Sequence, residues 1–84
     1  MAAPTRPHSI KAIIEADPGA LVRVLQFFQT RNVVPRRVNA SRLGSEFLEA
    51  HIEIDAAELG LEGLRVVAAK IEQLPITMAV VICD

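Results

Sequence analysis

Ala16-Asp17-Pro18-Gly19-Ala20-Leu21 separates two stretches of different hydrophobic period. Before it, His8 to Ala16 alternates. Ile10, Ala12, Ile14 and Ala16 fall on one side, and Ser9, Lys11, Ile13 and Glu15 on the other. A period of two belongs to a strand with one buried face, and Ile13 is the apolar exception on the polar side. After it, Leu21, Val24, Leu25 and Phe28 follow the i, i+3, i+4, i+7 spacing of a helix stripe. The six residues between supply the chemistry of the change. Asp is a favoured N-cap, so the Asp17 carboxylate is expected to cap the helix. Pro18 then takes the first helical position, where its missing N–H costs nothing. Gly19 has no side chain, which lets another backbone or a small ligand approach. The free N–H groups of a helix start also attract carboxylates. A strand-to-helix turn with a potential anion site is therefore expected at 17–21.

Working outward, the helix is expected over Pro18 to Arg31. Arg31 suits its negative end, and Asn32 can take the left-handed conformation that ends one. Val33 to Leu43 reads as a second strand, with Val34, Val38 and Ala40 towards the core and Arg37, Asn39 and Ser41 away. Pro35 lacks a backbone donor and Arg36–Arg37 discourages wrong pairing, so this strand should lie at an edge. Leu43-Gly44-Ser45 is a tight turn into a third strand, Glu46 to Asp55. There Leu48, Ala50, Ile52 and Ile54 alternate with Glu49, His51 and Glu53, whose carboxylates can lie opposite Arg37. Ala56 to Gly60 links to a second helix, Leu61 to Leu74. Its stripe is Leu61, Leu64, Val67, Ala68, Ile71 and Leu74, and Pro75 stops it. In the last strand, Ile76 to Cys83, residues Ile76, Met78, Val80 and Ile82 alternate with Thr77, Ala79, Val81 and Cys83. Both of its faces are apolar, which is unusual for a strand with one side in water.

The order strand, helix, strand, strand, helix, strand predicts an α+β domain of ferredoxin-like βαββαβ type. It is a four-stranded antiparallel sheet with both helices on one face. Right-handed crossovers place strands one and three in the centre and strands two and four at the edges.

Bulk composition narrows the function. The chain has 84 residues, enough for one domain. Residues 1–7, with Pro4 and Pro7, read as a flexible leader and 8–84 as the domain. The leader has no apolar run of a signal peptide, and no stretch approaches the length of a membrane span. Half of the residues are hydrophobic, at 51%. A chain this short still buries a modest share of its surface, so oligomerisation or a larger partner would add to its stability. The net charge of −1, and three Phe with no Trp or Tyr, offer neither a basic surface nor stacking platforms for nucleic acid. A single cysteine, Cys83, fits a reducing, cytoplasmic setting.

No catalytic constellation, resident metal or cofactor site is expected. His51 between Glu49 and Glu53 reads as a solvated strand face rather than a ligand set. Cys83 has no partner or adjacent base, and the four glycines do not form a phosphate loop. Arg31, Arg36, Arg37 and Arg42 gather at one edge and read mainly as partners of neighbouring carboxylates. The sheet face away from the helices stands out. Ile13, Thr77, Ala79 and Val81 should form an apolar patch across strands one and four, beside charged strands two and three. Such a patch marks an interaction surface, so Ile13, Ala79 and Val81 are expected to face a partner.

The turn Asp17-Pro18-Gly19-Ala20-Leu21, with Val24 and Phe28 in the helix that follows, resembles the ACT domain, a small regulatory module that binds amino acids, commonly between two copies. The resemblance runs over about residues 9 to 83. Ile71-Glu72-Gln73-Leu74-Pro75-Ile76 and Val80-Val81-Ile82-Cys83 make it most similar to the short, type II small subunit of acetolactate synthase (acetohydroxyacid synthase). Such subunits activate and stabilise a large catalytic subunit of branched-chain amino acid biosynthesis. That subunit carries thiamine diphosphate, magnesium and FAD, so no cofactor is implied for this chain. The resemblance implies effector contacts at Asp17, Pro18, Gly19, Ala20 and Leu21, and at Asn32, Val33 and Val34. The family pattern has Gly and then Asn, two residues apart, where this sequence has Asn32 and Val34. Val34 has no side-chain donor, which weakens a site built around one.

Two functions follow as expectations. The first is a non-catalytic regulatory subunit that binds the large subunit of acetolactate synthase and forms a homodimer. The second is a free-standing ACT-type dimer that senses a branched-chain amino acid.

Overall fold

The computed structural model describes residues 7–83. Its elements are β1 (Pro7–Glu15), α1 (Ala20–Thr30), β2 (Arg37–Leu43), β3 (Phe47–Asp55), α2 (Leu61–Glu72) and β4 (Thr77–Cys83). The four strands form one antiparallel sheet in the order β2-β3-β1-β4. This is the ACT-type ferredoxin-like βαββαβ fold, with β1 and β3 central and β2 and β4 at the edges. The leader expected at 1–7 lies outside the described residues, apart from Pro7, which already opens β1.

The period of two in β1 and β3 carries the core. Ile10, Ala12, Ile14, Ala50, Ile52 and Ile54 have no exposed surface. Against them α1 lays Ala20, Val24 and Phe28, and α2 lays Leu64, Val67, Ala68 and Ile71. Val24 and Phe28, and Leu64, Val67, Ala68 and Ile71, are members of the stripes expected from the helical spacing, whereas Leu21, Leu25, Leu61 and Leu74 are half-buried at their margins and Ala20 joins the core.

The start of α1 differs in detail. The helix begins at Ala20, not Pro18, and its N-cap position is Gly19, which has no side-chain cap bond. The Asp17 carboxylate instead accepts from the Gly19 N–H at 2.9 Å, and the Asp17 carbonyl accepts from the Ala20 N–H at 2.9 Å. Pro18 and Gly19 make a turn ahead of the helix, and the carboxylate satisfies the free Gly19 amide two residues on, as in an Asx turn. The other end is as expected. Asn32 is left-handed, with φ 57°. Its N–H donates to the Gln29 carbonyl, and the Val33 N–H donates to the Phe28 carbonyl, each at 2.9 Å. These paired bonds are the Schellman closure, and Val33 packs into the core beside Phe28 to complete it.

Two strand expectations are corrected. The second strand starts at Arg37 rather than Val33, and all seven of its residues are exposed. Val34 precedes the strand and is 75% exposed. Val38 and Ala40 do point to the helix side, opposite Ile52 and Ala50. No helix reaches over this edge, so they stay out of the core. The hairpin turn is as read, with Gly44 at φ 68°.

The second correction concerns β4. Its register on β1 shifts between Ile13, which pairs with Ala79, and Ile14, which pairs with Thr77. Met78 is the extra residue of this irregularity and is 53% exposed, not inward as alternation predicts. A one-residue slip moves a side chain to the other face, so Thr77 joins Ile14 on the helix side. There its Oγ1 is buried without a hydrogen-bond partner. An unsatisfied buried hydroxyl costs about 1–3 kcal/mol. Thr77→Val keeps the shape and removes that penalty, so it should raise stability by about 1 kcal/mol, read as a higher urea midpoint at unchanged m-value.

Candidate functional site

The residues expected to hold an effector fall into two sets, one at each end of α1. Asp17, Pro18 and Gly19 form the β1–α1 turn and lead into Ala20 and Leu21. Asn32, Val33 and Val34 form the exit toward β2. A helix of this length is about 16 Å long, so one chain does not bring the two sets together. Ala20 and Val33 are core residues at 1% and 8% exposure. Only their backbones are available to a ligand.

Each end opens onto its own depression. At the β1–α1 turn, Asp17 shares a cleft of about 450 Å³ with Glu15, Glu46, Ser45 and Met78. Three carboxylates line it, and the Gly19 amide is already taken by Asp17. The potential anion site at this turn is therefore acidic and partly occupied from within, which opposes a ligand carboxylate.

The far end of α1 is different. A groove of about 370 Å³ lies between Leu25, Phe28, Val33, Val34 and Val38, with Gln29 and Asn32 as its polar members. It exists because the β2 edge extends past the helix layer. The Val34 N–H donates to Glu58 Oε2 at 3.2 Å, so a carboxylate from the β3–α2 connection already meets that amide. Sequence reading placed Asn32, Val33 and Val34 here but missed Leu25, Phe28, Val38 and Glu58. Leu25 and Phe28 were legible only as helix stripe, and Glu58 sat in a linker with no pattern.

On the open face the register assembles the expected patch. Ile13 lies between Glu49 of β3 and Ala79 of β4, and Lys11 between His51 and Val81. Ile13, Ala79 and Val81 thus adjoin, with Val81 55% exposed, whereas Thr77 has left the patch. The β2–β3 half of the face carries charge, including a contact of 3.6 Å between Arg37 Nε and Glu53 Oε2. Among the arginines of that edge, Arg42 Nη2 also donates to the Ser45 carbonyl at 3.1 Å. Glu49, His51 and Glu53 are spaced two residues apart along a strand, about 7 Å per step. Among the described residues no three His, Cys, Asp or Glu side chains could hold a metal ion. Nor is any helix among them long and apolar enough to cross a membrane.

The fold can be set beside those of known proteins. No family model and no curated protein matches this sequence. Solved structures do match. The ACT domain from GTP pyrophosphokinase of Chlorobium tepidum aligns with a TM-score of 0.74 at 10% identity, over 94% of this chain and 86% of that one. A formyltetrahydrofolate deformylase from Pseudomonas syringae pv. tomato aligns with a TM-score of 0.79 at 20% identity, over 96% of this chain and 28% of that one. The regulatory subunit of aspartate kinase from Thermus thermophilus aligns with a TM-score of 0.67 at 19% identity, over 99% of this chain and 54% of that one. This chain shares its fold with these proteins, and it spans 28% and 54% of the length of the last two.

Proposed function

We propose that this chain is a non-catalytic regulatory module that acts by binding a larger enzyme. The observation that carries the reading is the divided open face. One half is apolar, built on Ile13, Ala79 and Val81, and the other is charged. Contiguous exposed apolar area is kept for contact. The fold it shares with the aspartate kinase regulatory subunit and the GTP pyrophosphokinase ACT domain supports a regulatory role. The resemblance of Asp17 to Leu21, of Ile71 to Ile76 and of Val80 to Cys83 points to the large, thiamine-diphosphate-dependent subunit of acetolactate synthase as the partner. Binding one conformation of that enzyme better than another shifts it toward the active state.

A second reading, an amino-acid sensor acting as a dimer, is favoured by the groove beside Asn32 and Val34. Its apolar lining suits a branched side chain. Calorimetry of the chain alone with valine, leucine and isoleucine separates the two. Saturable heat supports the sensor.

The regulatory reading is tested by affinity capture with the tagged chain from lysate of its source cells, followed by mass spectrometry. A thiamine-diphosphate-dependent synthase in stoichiometric amount is the expected result. Ile13→Lys and Val81→Glu should each reduce its recovery at least tenfold while the domain stays folded. Lys at 13 faces Glu49 and Glu at 81 faces Lys11, so both new charges find cross-strand partners. Capture of the chain alone, or full recovery with both variants, would overturn the reading.

A further inference from the structure

The apolar half of the open face has a definite shape. Ile13 of β1 pairs with Ala79 of β4, and Lys11 with Val81, so Ile13, Ala79 and Val81 form a strip two strands wide. Met78, turned outward by the irregularity of β4, carries the strip to its end and there meets Glu15 and Phe47. The other half of this face is polar. On it β3 presents Glu49, His51 and Glu53, and β2 presents Arg37 and Asn39.

That shape selects an occupant. A second sheet laid face to face would cover all four strands and take these charges out of water, which is unfavourable for each one left unpaired. A strand added to β4 would meet the irregularity at Met78, which interrupts an even ladder. It would also cover the edge and leave the strip bare. A helix is about 10–12 Å across with its side chains, and neighbouring strands are about 5 Å apart. One helix therefore covers β1 and β4 and leaves the polar half in water. From Met78 to Cys83 the strip runs for about 17 Å, the length of about eleven helical residues.

The strip is also polarised. It ends in the cleft of about 450 Å³ that Glu15, Asp17 and Glu46 line together with Phe47 and Met78. All three acidic residues are exposed, and among the described residues none of them is in a salt bridge. Arg42 stands at the rim, bound to the Ser45 carbonyl. Away from the cleft, Lys11 borders the strip beside Val81. A cation on the occupant is therefore favoured over the cleft and opposed at the Val81 end.

We propose that the partner enzyme seats an amphipathic helix along this β1–β4 strip, with a lysine or arginine at one end entering the cleft of Glu15, Asp17 and Glu46. This rests on the regulatory reading and adds to it what the enzyme presents. Apolar residues at i, i+3 or i+4, and i+7 lie against Ile13, Ala79 and Val81. The cation follows past the end of that stripe, its aliphatic stem between Phe47 and Met78 and its charge among the carboxylates.

Photo-crosslinking to the purified large subunit of acetolactate synthase tests it. Benzoylphenylalanine replaces Met78 in one sample and Val81 in another. These side chains are 53% and 55% exposed, so neither change touches the core. The two positions are about 10 Å apart along the strand. Peptide mapping should place both adducts in one segment of the enzyme, about seven residues apart, as a helix requires. A separation of about three residues, which is the spacing of a strand, adducts on unrelated segments, or no adduct from a chain that still binds the enzyme overturns this proposal alone. An enzyme that does not bind the chain overturns the regulatory reading with it. Glu15→Lys and Glu46→Lys should each weaken binding at least tenfold at low salt, whereas Glu72→Lys, the same change of charge on the helix side of the sheet, should stay within about threefold of wild type. Circular dichroism checks that each variant is folded. Equal losses from all three, or none from Glu15→Lys and Glu46→Lys, would overturn the cationic contact.

Discussion

Ala12→Asp is expected to leave no folded domain, while Ile13→Lys, one residue further, folds normally. Ala12 has no exposed surface. It sits on the central strand between Ala50 of β3 and Val80 of β4, on the side covered by the helices. A carboxylate there has neither water nor a cation. Burying an unpaired charge costs several kcal/mol after relaxation, comparable to the whole stability of a domain of this size, about 4–13 kcal/mol. Ile13 points the other way, between Glu49 and Ala79. Lysine at that position keeps its charge in solvent beside a carboxylate. Far-ultraviolet circular dichroism and a urea titration read the contrast directly. A folded Ala12→Asp protein would mean that the helix layer does not close over the centre of β1.

Phe28→Ala is expected to destabilise the domain by about 3–5 kcal/mol, the cost of an aromatic ring removed from a packed core. Phe28 is 1% exposed and is the largest of the fully buried side chains. Its carbonyl accepts the Val33 N–H that closes the helix, and Val33 packs in the same core cluster. The ring also lines the groove at the end of α1. Its loss should therefore loosen the Asn32–Val34 exit as well as the core. The expected result is a urea midpoint lowered in proportion to that loss at unchanged m-value, together with faster amide exchange at Asn32 and Val33 than at α2. Phe28→Leu fills most of the volume and should recover more than half of the loss. A loss below 1 kcal/mol in Phe28→Ala would show that the surrounding side chains collapse onto the site.

Much of this protein was determined by periodicity, which is local and survives in the bare sequence. The alternation of Ile10, Ala12 and Ile14 and of Ala50, Ile52 and Ile54 marked two half-buried strands. The stripes through Val24 and Phe28 and through Leu64, Val67 and Ile71 marked two helices. With short connections and right-handed crossovers, that order of elements admits few folds, and the strand order β2-β3-β1-β4 followed. The chemistry of single residues was legible where backbone sterics decide it, as in the left-handed Asn32 and the positive φ of Gly44. The apolar patch at Ile13, Ala79 and Val81 was legible for the same reason, since strand faces follow from counting by two.

What depends on the meeting of distant segments was left to the tertiary structure. The irregularity opposite Ile13 and Ile14 shifts the register of β4 by one residue. It sends Thr77 inward and Met78 outward, and no local pattern announces it. Val38 and Ala40 have the alternation of core residues but lie where no helix reaches, because the helix layer is narrower than the sheet. That same overhang creates the groove at the end of α1. The residues of the effector motif stand at opposite ends of a helix about 16 Å long, so spacing in sequence could not say whether they meet. Burial is decided by what lies across from a residue, and only the folded chain supplies that.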